Sequence, residues 1–251
     1  MLAPPILSRY PPLAYPAGRV PGFDPTHPAA EGCAFSGIAA SGGGFINVLN
    51  GNPGTQGGSP SAVIDGNIGR ASLYSGSNDN SNFVVPILSI TSCSIAAILR
   101  IVSISGNNAF IIGNNSTTLV YVASTGVVDI FGIGNSVTAS SGIALSAGVP
   151  YFVAGSVVNG SGNPASFVVV NLKTGQILTA SATATATSLG SGSPLYIGNR
   201  NTLNRPPDAS IAAAMISYNN YLPLPTLLQW AQRPWDFWYP ISKANGMGIF
   251  G

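Results

Sequence analysis

Few side chains in this sequence could carry out acid–base or nucleophilic chemistry. The chain of 251 residues has one His, two Cys and seven carboxylates, and Glu31 is its only glutamate. His27 would have to serve as the base of any Ser-His-Asp triad, but it lies in a Pro-rich segment without a rigid support. We therefore expect His27 to pack or to form a hydrogen bond where the chain enters its domain, and we expect no enzymatic activity.

A metal site would have to be built from oxygen ligands, because the sequence has no clusters of His and Cys. Calcium prefers such ligands, and Asp79, between Asn78 and Asn80, offers a carboxylate and carbonyl oxygens. A single carboxylate binds calcium weakly, and the alternative is an Asp side chain that hydrogen-bonds its own turn. The sequence predicts no metal and no cofactor, with Asp79 as a weak calcium candidate.

Large aromatic side chains are concentrated between residues 230 and 239. Trp230 and Trp238 could stack on sugar rings, as aromatic residues do in lectin-like domains. The alternative, which we favour, is that these rings close one end of the domain. In that case Trp235 and Phe237 are buried anchors.

The charge content excludes one class of partner. Only 6% of the residues are charged, nine basic and seven acidic, and the net charge is +2. Ser, Thr, Asn and Gly must therefore solvate most of the surface. The nine Lys and Arg residues are scattered along the chain and do not form the concentrated basic face that nucleic acid requires. We expect no nucleic-acid partner.

Hydrophobic segments and cysteines bear on location in the cell. The most apolar stretch, residues 83–105, contains Pro86 and Arg100, and an Arg at a bilayer centre costs roughly 2.5 kcal/mol or more. We interpret this stretch as buried strands and expect no membrane association.

The N-terminal segment lacks a basic region followed by an apolar helix, so we expect no signal peptide. Cys33 and Cys93 are expected to be reduced and buried, although their pairing stays open.

From residue 32 onward, short apolar runs alternate with Gly, Asn and Ser clusters, which is typical of strands joined by turns. We predict fifteen strands, at residues 33–38, 45–49, 62–64, 71–74, 83–87, 93–103, 108–112, 118–123, 127–131, 142–145, 151–158, 165–171, 176–184, 195–197 and 211–218. One short helix is predicted over residues 226–232, before Pro234. This pattern predicts an all-β sandwich of two antiparallel sheets.

The N-terminal segment has a different composition. Residues 1–28 contain eight prolines, which exclude a helix or a central strand and favour an extended arm. Such an arm either packs back on its own domain or contacts a neighbouring subunit. The partner-binding side chains that it offers are Arg9, Tyr10, Tyr15, Arg19 and Phe23. The predicted organisation is an arm at residues 1–28, a sandwich at residues 29–240 and a tail at residues 241–251.

Five segments of the chain resemble laminin-G-like, concanavalin A-like domains of tailed-phage proteins. HPAAEG at residues 27–32 and SLYSGSND at residues 72–79 are similar to two motifs of that family. The C-terminal order is the more specific part, with LYIGNR at residues 195–200, a strand and turn at residues 211–222, and RPWDFW at residues 233–238. The resemblance implies a two-sheet jelly-roll sandwich, and in laminin-G-like relatives a rim aspartate binds calcium.

The resemblance does not determine the function, because such domains are lectins, glucanases, adhesion modules or virion proteins. Retaining glucanases on this fold need a Glu-x-Asp-x-x-Glu run, which a chain with one glutamate lacks. We expect a structural virion protein of a tailed bacteriophage, a capsid decoration or other exterior component that is attached to other virion proteins through its arm. We expect it to be homo-oligomeric and assembled in the host cytoplasm. The alternative is a carbohydrate-binding adhesin that recognises a host-surface glycan.

Overall fold

A computed structural model describes residues 22–75, 78–86, 88–103, 109–114, 117–121, 125–132, 137–185, 188–190, 193–199 and 207–240. Most of the predicted arm lies outside the described residues, and so does the predicted tail at residues 241–251. The partner-binding candidates Arg9, Tyr10, Tyr15 and Arg19 therefore have no structural account, and of that set only Phe23 is described.

The described residues form sixteen strands joined by turns and loops. The strands are β1 (Cys33–Ala39), β2 (Phe45–Asn47), β3 (Thr55–Gly57), β4 (Ser61–Asp65), β5 (Gly69–Tyr74), β6 (Asn80–Phe83), β7 (Ser92–Ile101), β8 (Ala109–Gly113), β9 (Thr118–Tyr121), β10 (Val127–Phe131), β11 (Val137–Ala144), β12 (Pro150–Val158), β13 (Pro164–Asn171), β14 (Ile177–Thr183), β15 (Leu195–Ile197) and β16 (Ala209–Tyr218). A 3-10 turn (Pro28–Ala30) precedes them, and helix α1 (Leu224–Gln232) follows them.

The strands build two antiparallel sheets that pack as a sandwich, so the predicted all-β fold class is confirmed. One sheet has nine strands in the order β14-β13-β12-β7-β16-β1-β2, with β5 pairing with β16 and β4 pairing with β5. The other has seven strands in the order β11-β10-β9-β8-β15-β6-β3. The β13–β14 hairpin turns at residues 172–175, as its Lys-Thr-Gly sequence predicts.

The nine-stranded sheet is buried on both faces, and β7 shows how. Ile95, Ala97 and Leu99 face the seven-stranded sheet and belong to the core between the sheets. Ala96 and Ile98 face the other way, into a second core beneath α1. Since period-two alternation places successive side chains on opposite faces, a strand between two cores must be apolar at nearly every position. The continuous apolar sequence of β7 is explained in this way.

Helix α1 covers the second core. Pro223 is the residue before its first turn and Pro225 lies within that turn, where a missing N–H is tolerated. Leu227, Trp230 and Ala231 are its buried residues, at the spacing of one helical face. The helix begins two residues before the predicted start at residue 226 and ends at the predicted residue 232. The predicted short helix is therefore confirmed, and it covers one face of the nine-stranded sheet.

Three strands differ from the sequence prediction by three residues or more. A strand was predicted at residues 83–87, but β6 ends at Phe83, so residues 84–86 lie outside it. Strand β3, Thr55–Gly57, was not predicted because it has no apolar residue. Strand β11 begins at Val137, five residues before the predicted start, because its small polar residues carry no alternation signal. All three differences fall where pairing with a neighbour, rather than local hydrophobicity, determines the strand.

Both cysteines are free, which agrees with the expectation of reduced thiols. Burial raises the pKa of the Cys33 thiol and of the Cys93 thiol to about 12. Both thiols are therefore protonated at neutral pH and poor nucleophiles. The part of the chain that the structure describes contains no helix with the length and apolar character needed to cross a bilayer.

Candidate functional site

The candidate site is a small open cleft where the 3-10 turn meets α1. Its volume is about 200 Å³. His27 lies on one side of the cleft, Gln229 and Trp230 of α1 lie on the other, and Arg233 and Asp236 belong to the segment after the helix. The cleft therefore brings together residues from the two ends of the described chain.

The entering segment, residues 22–27, is held against the C-terminal segment. The Gly22 N–H donates to the Trp238 carbonyl at 2.9 Å, and the Asp24 N–H donates to the Phe237 carbonyl at 3.2 Å. The Phe23 ring packs edge-on against Phe237, with 5.4 Å between ring centroids. The last part of the predicted arm thus packs on its own domain, and the one described partner-binding candidate, Phe23, contacts the protein's own closing segment.

Buried polar groups hold the 3-10 turn on the nine-stranded sheet. The Asn220 side-chain amide donates to the Pro28 and Glu31 carbonyls, both at 2.9 Å. The Ser217 hydroxyl donates to the Ala29 carbonyl at 2.7 Å. Because buried carbonyls are costly to leave unpaired, these bonds fix the turn on the end of β16. The position of His27 follows from that anchoring.

His27 caps the 3-10 turn. Its Nδ1 accepts a hydrogen bond from the Ala29 N–H at 3.1 Å, which assigns the ring proton to Nε2 in the neutral form. The ring packs against Trp230 and Phe237, with centroid distances of 4.7 and 5.2 Å. Burial lowers the pKa of His27 to about 4, against the opposing influence of Asp24 and Asp236. The prediction that His27 packs and hydrogen-bonds at the domain entry is confirmed.

Most of the described side chains that line the cleft are polar or charged. Arg233 Nη1 lies 3.8 Å from Asp236 Oδ2, and the two side chains form a partly exposed ion pair. Thr226 contributes the hydroxyl of the lining, where no Ser or Cys is present. An imidazole with a pKa near 4 is a weak general base. The side chains of Thr226, Gln229, Arg233 and Asp236 offer hydrogen-bonding groups at the cleft.

The aromatic cluster beside the cleft is buried. Trp235 and Phe237 are 3% and 0% exposed, as their predicted role as anchors requires. Trp230 and Trp238 are 3% and 0% exposed, so neither ring presents a face on which a sugar could stack. The rings of Trp230 and Trp238 pack on each other and belong to the second core, which favours the closing role over the stacking interpretation of these two residues.

The calcium candidate Asp79 is occupied by backbone donors. Its two carboxylate oxygens accept hydrogen bonds from the Ser59 N–H at 2.9 Å and from the Ser75 N–H at 3.3 Å. The side chain thereby joins two loops, which is a structural role but differs from the bond within its own turn that was the alternative to calcium binding. Across the described part of the chain, no three His, Cys, Asp or Glu side chains are grouped as a metal site requires.

The sequence analysis missed Asp129, in the middle of β10. Its side chain is buried, its Oδ1 has no hydrogen-bond partner among the described residues, and burial raises its pKa. Phe110 and Phe131 pack together on the same sheet, apart from the two larger cores. A carboxylate inside the apolar run VVDIF was the signal that could have revealed this unusual position.

The fold and the cleft define a β-sandwich module with a small polar surface site. No family model matches the chain, and no curated protein matches it. Domain 4 of AbnA, a GH43 extracellular arabinanase from Geobacillus stearothermophilus in complex with arabinotriose, has a TM-score of 0.55 and 14% identity, covering 79% of this chain and 98% of that one. This likeness shows a shared fold.

Two further solved structures are similar. Trypanosoma rangeli sialidase in complex with sialic acid has a TM-score of 0.53 and 14% identity, over 81% of this chain and 33% of that chain. Tailspike protein 2 from Escherichia coli O157:H7 bacteriophage CAB120 has a TM-score of 0.49 and 14% identity, over 81% and 27%, a score too low to support an argument. The sandwich thus occurs within chains that are enzymes, and the expected lack of activity in this chain stays a prediction.

The lowered pKa of His27 predicts a pH dependence of stability. Between its ordinary value of 6.5 and about 4, the unfolded chain takes up a proton that the folded chain does not. The stabilisation present above pH 6.5 should therefore be lost as the pH falls toward 4.

The variant His27→Asn tests this prediction, because Asn keeps a side-chain acceptor for the Ala29 N–H and does not titrate. We expect the melting temperature of the wild type to fall more than that of His27→Asn between about pH 7 and about pH 5. Both chains keep the same carboxylates, so the difference reports the single imidazole. Equal pH dependence in the two chains would show that His27 is not desolvated.

Proposed function

We propose that the chain is a structural virion protein of a tailed bacteriophage, a capsid decoration or other exterior component attached through its N-terminal arm. The observation that carries this proposal is the attachment of residues 22–24 to residues 237–238. This pairing anchors Gly22 and Asp24 to the sandwich, so a partner that binds the sequence before Gly22 would hold the whole domain. The proposal includes location in the virion and assembly in the host cytoplasm.

Charge supports an arm that binds elsewhere. Residues 1–21 contain Arg9 and Arg19 and no acidic residue, which gives a formal charge of +2. Residues 22–251 contain seven basic and seven acidic side chains, so the whole net charge of +2 lies in residues 1–21. The low charge of the whole chain lets a large area be buried against a neighbour at small desolvation cost. An acidic surface on a shell protein is the partner that fits this arm.

A second candidate function is that of a carbohydrate-binding adhesin. The similar arabinanase domain is in complex with arabinotriose, and this is the observation that favours the second candidate. In this chain, Gln229, Arg233 and Asp236 offer hydrogen-bonding groups to a sugar at the cleft. Micromolar binding of the isolated chain on a glycan array, lost in Arg233→Ala, would favour the adhesin over the virion protein.

Deletion of residues 2–21 is expected to abolish attachment while leaving the fold intact. The deletion stops before Gly22, because residues 22–24 pair with the sandwich. The truncated chain should melt within a few degrees of the full chain, but it should no longer sediment with phage particles that lack this protein. Occupancy is measured by gradient sedimentation of particles mixed with purified protein.

A charge-reversed pair provides the matched control. Arg9→Glu with Arg19→Glu should reduce particle occupancy, whereas Arg70→Glu, at an exposed position of β5, should not. If the truncated chain decorates particles at full occupancy, the arm is a passive tail and the sandwich itself carries the attachment.

A further inference from the structure

Strand β14 forms an open edge of the nine-stranded sheet. It pairs with β13 on one side, and it stands at the end of the strand order. Hydrogen bonds between Asn171 and Gln176 at one end, and between Asn163 and Ala184 at the other, set the alternation of the β13–β14 ladder. Every second residue of β14 therefore turns its N–H and C=O away from β13. These residues are Ile177, Thr179, Ser181 and Thr183.

No described residue supplies partners for these outward backbone groups. Of the other strands with one described partner, β4 has five residues, and β2, β3 and β11 are short or partly covered. Strands β2 and β3 have three residues each. Strand β11 is partly covered, because Thr185 bonds to the carbonyls of Val137 and Thr138 at 2.7 and 2.8 Å. A seven-residue edge without such protection is a template for pairing with another strand.

The surroundings of this edge suit burial against a second protein surface. Lys173 is the sole charged residue between Asp129 and Arg200, so the sequence around β11 to β14 is almost free of charge. Ile177 and Leu178 are 38% and 40% exposed, and Val137 on the adjacent β11 is 37% exposed. Edge strands normally carry Lys, Pro or a bulge against unwanted pairing, and β14 carries none of these.

We propose that β14 is the self-association edge of this protein, and that it pairs antiparallel with β14 of a second copy across a twofold axis at Ala180. In this register Thr179 lies opposite Ser181 of the second copy, and Ile177 lies opposite its Thr183. Each outward residue then meets another outward residue, as an antiparallel ladder requires. Four such pairs give about eight hydrogen bonds.

The charge distribution selects a second copy rather than a charged partner. Lys173, in the turn before β14, lies beyond the end of the paired strands, so the two copies bring no like charges together. A twofold axis also makes the same patch serve both subunits, which closes the assembly at a dimer. The two nine-stranded sheets would then continue into one another. This inference is independent of the arm-mediated function proposed above.

The test is the mass of the full chain in solution, measured by size-exclusion chromatography with light scattering over a range of concentrations. We expect a species of twice 25.4 kDa. Thr179→Lys with Ser181→Lys places like charges opposite each other across the axis and should return the mass to 25.4 kDa. Thr179→Glu with Ser181→Lys places each Glu opposite a Lys of the second copy and should keep the dimer.

The control is Ile64→Lys on β4, another strand with one described partner, where Ile64 is 81% exposed. This variant should remain a dimer. Thr179 and Ser181 are exposed, so all variants should fold, and thermal melts check this. A wild-type mass of 25.4 kDa at every concentration overturns the proposal, as does a Lys-Lys variant that stays dimeric. Loss of the dimer in both charge designs overturns the register at Ala180.

Discussion

Replacing Phe237 with Ala should lower the free energy of unfolding by about 3 to 5 kcal/mol. The Phe237 ring is fully buried and contacts Phe23, His27, Trp230 and Trp238. Its removal leaves a cavity at the point where the entering segment, the helix and the closing segment meet. For a chain of this size the melting temperature should fall by roughly 6 to 20 °C, measured by circular dichroism.

Val84→Ala is the control for this truncation, because Val84 is 90% exposed and its loss should change stability by less than about 0.5 kcal/mol. Trp235→Ala should act in the same direction as Phe237→Ala, since Trp235 is 3% exposed. An unchanged melting temperature together with lost sugar binding would make the aromatic cluster a ligand site. It would contradict the role of these rings in closing one end of the domain.

Gly198→Ala, directly after β15, should be strongly destabilising. Gly198 has φ of +79°, and a Cβ there would lie 2.2 Å from the Tyr74 ring. Tyr74 is fully buried and its hydroxyl bonds to Ser81 at 2.9 Å, so the ring cannot move aside freely. Backbone strain of about 1 to 2 kcal/mol adds to an overpacking cost of about 1 to 3 kcal/mol.

Gly142→Ala isolates the strain from the clash. Gly142 has φ of +65°, and no atom lies within 4 Å of a Cβ built there. Only the strain, about 1 to 2 kcal/mol, should appear in the denaturant unfolding of this variant. If Gly142→Ala and Gly198→Ala lower the free energy of unfolding by the same amount, the Tyr74 ring moves aside for the added Cβ. In that case packing against Tyr74 does not require a glycine at position 198.

The strands that sequence reasoning located best are those with a strong local signal. Strands β12 and β13 carry runs such as YFVAG and SFVVV, and their predicted bounds differ from the observed ones by one residue at most. Strand β3 escaped prediction because TQG has no apolar side chain and is a strand only through its pairing with β6. Local hydrophobicity identifies strands that face a core, while edge strands depend on neighbours that are distant in sequence.

The candidate site was harder to predict than the fold. The sequence singled out His27 and Trp230 separately, but nothing local indicates that a turn near the N-terminus packs on a helix near the C-terminus. The burial of Trp230 and Trp238 also depends on this contact, since the entering segment covers their neighbour Phe237. A stacking role and a packing role leave the same residue types in a sequence, and only the tertiary arrangement separates them.

The central place of β16 has a consequence for how the chain acquires its structure. Strand β16 pairs with β7 on one edge and with β1 and β5 on the other, so the nine-stranded sheet cannot close until residues 209–218 are available. Pairings of such sequence separation form slowly. During synthesis β7 therefore stays without its partner β16 until residue 218 has been made. A nascent chain that ends before residue 209 exposes the apolar strand β7, which is prone to aggregation. Completion of the nine-stranded sheet therefore depends on β16, the last strand among the described residues.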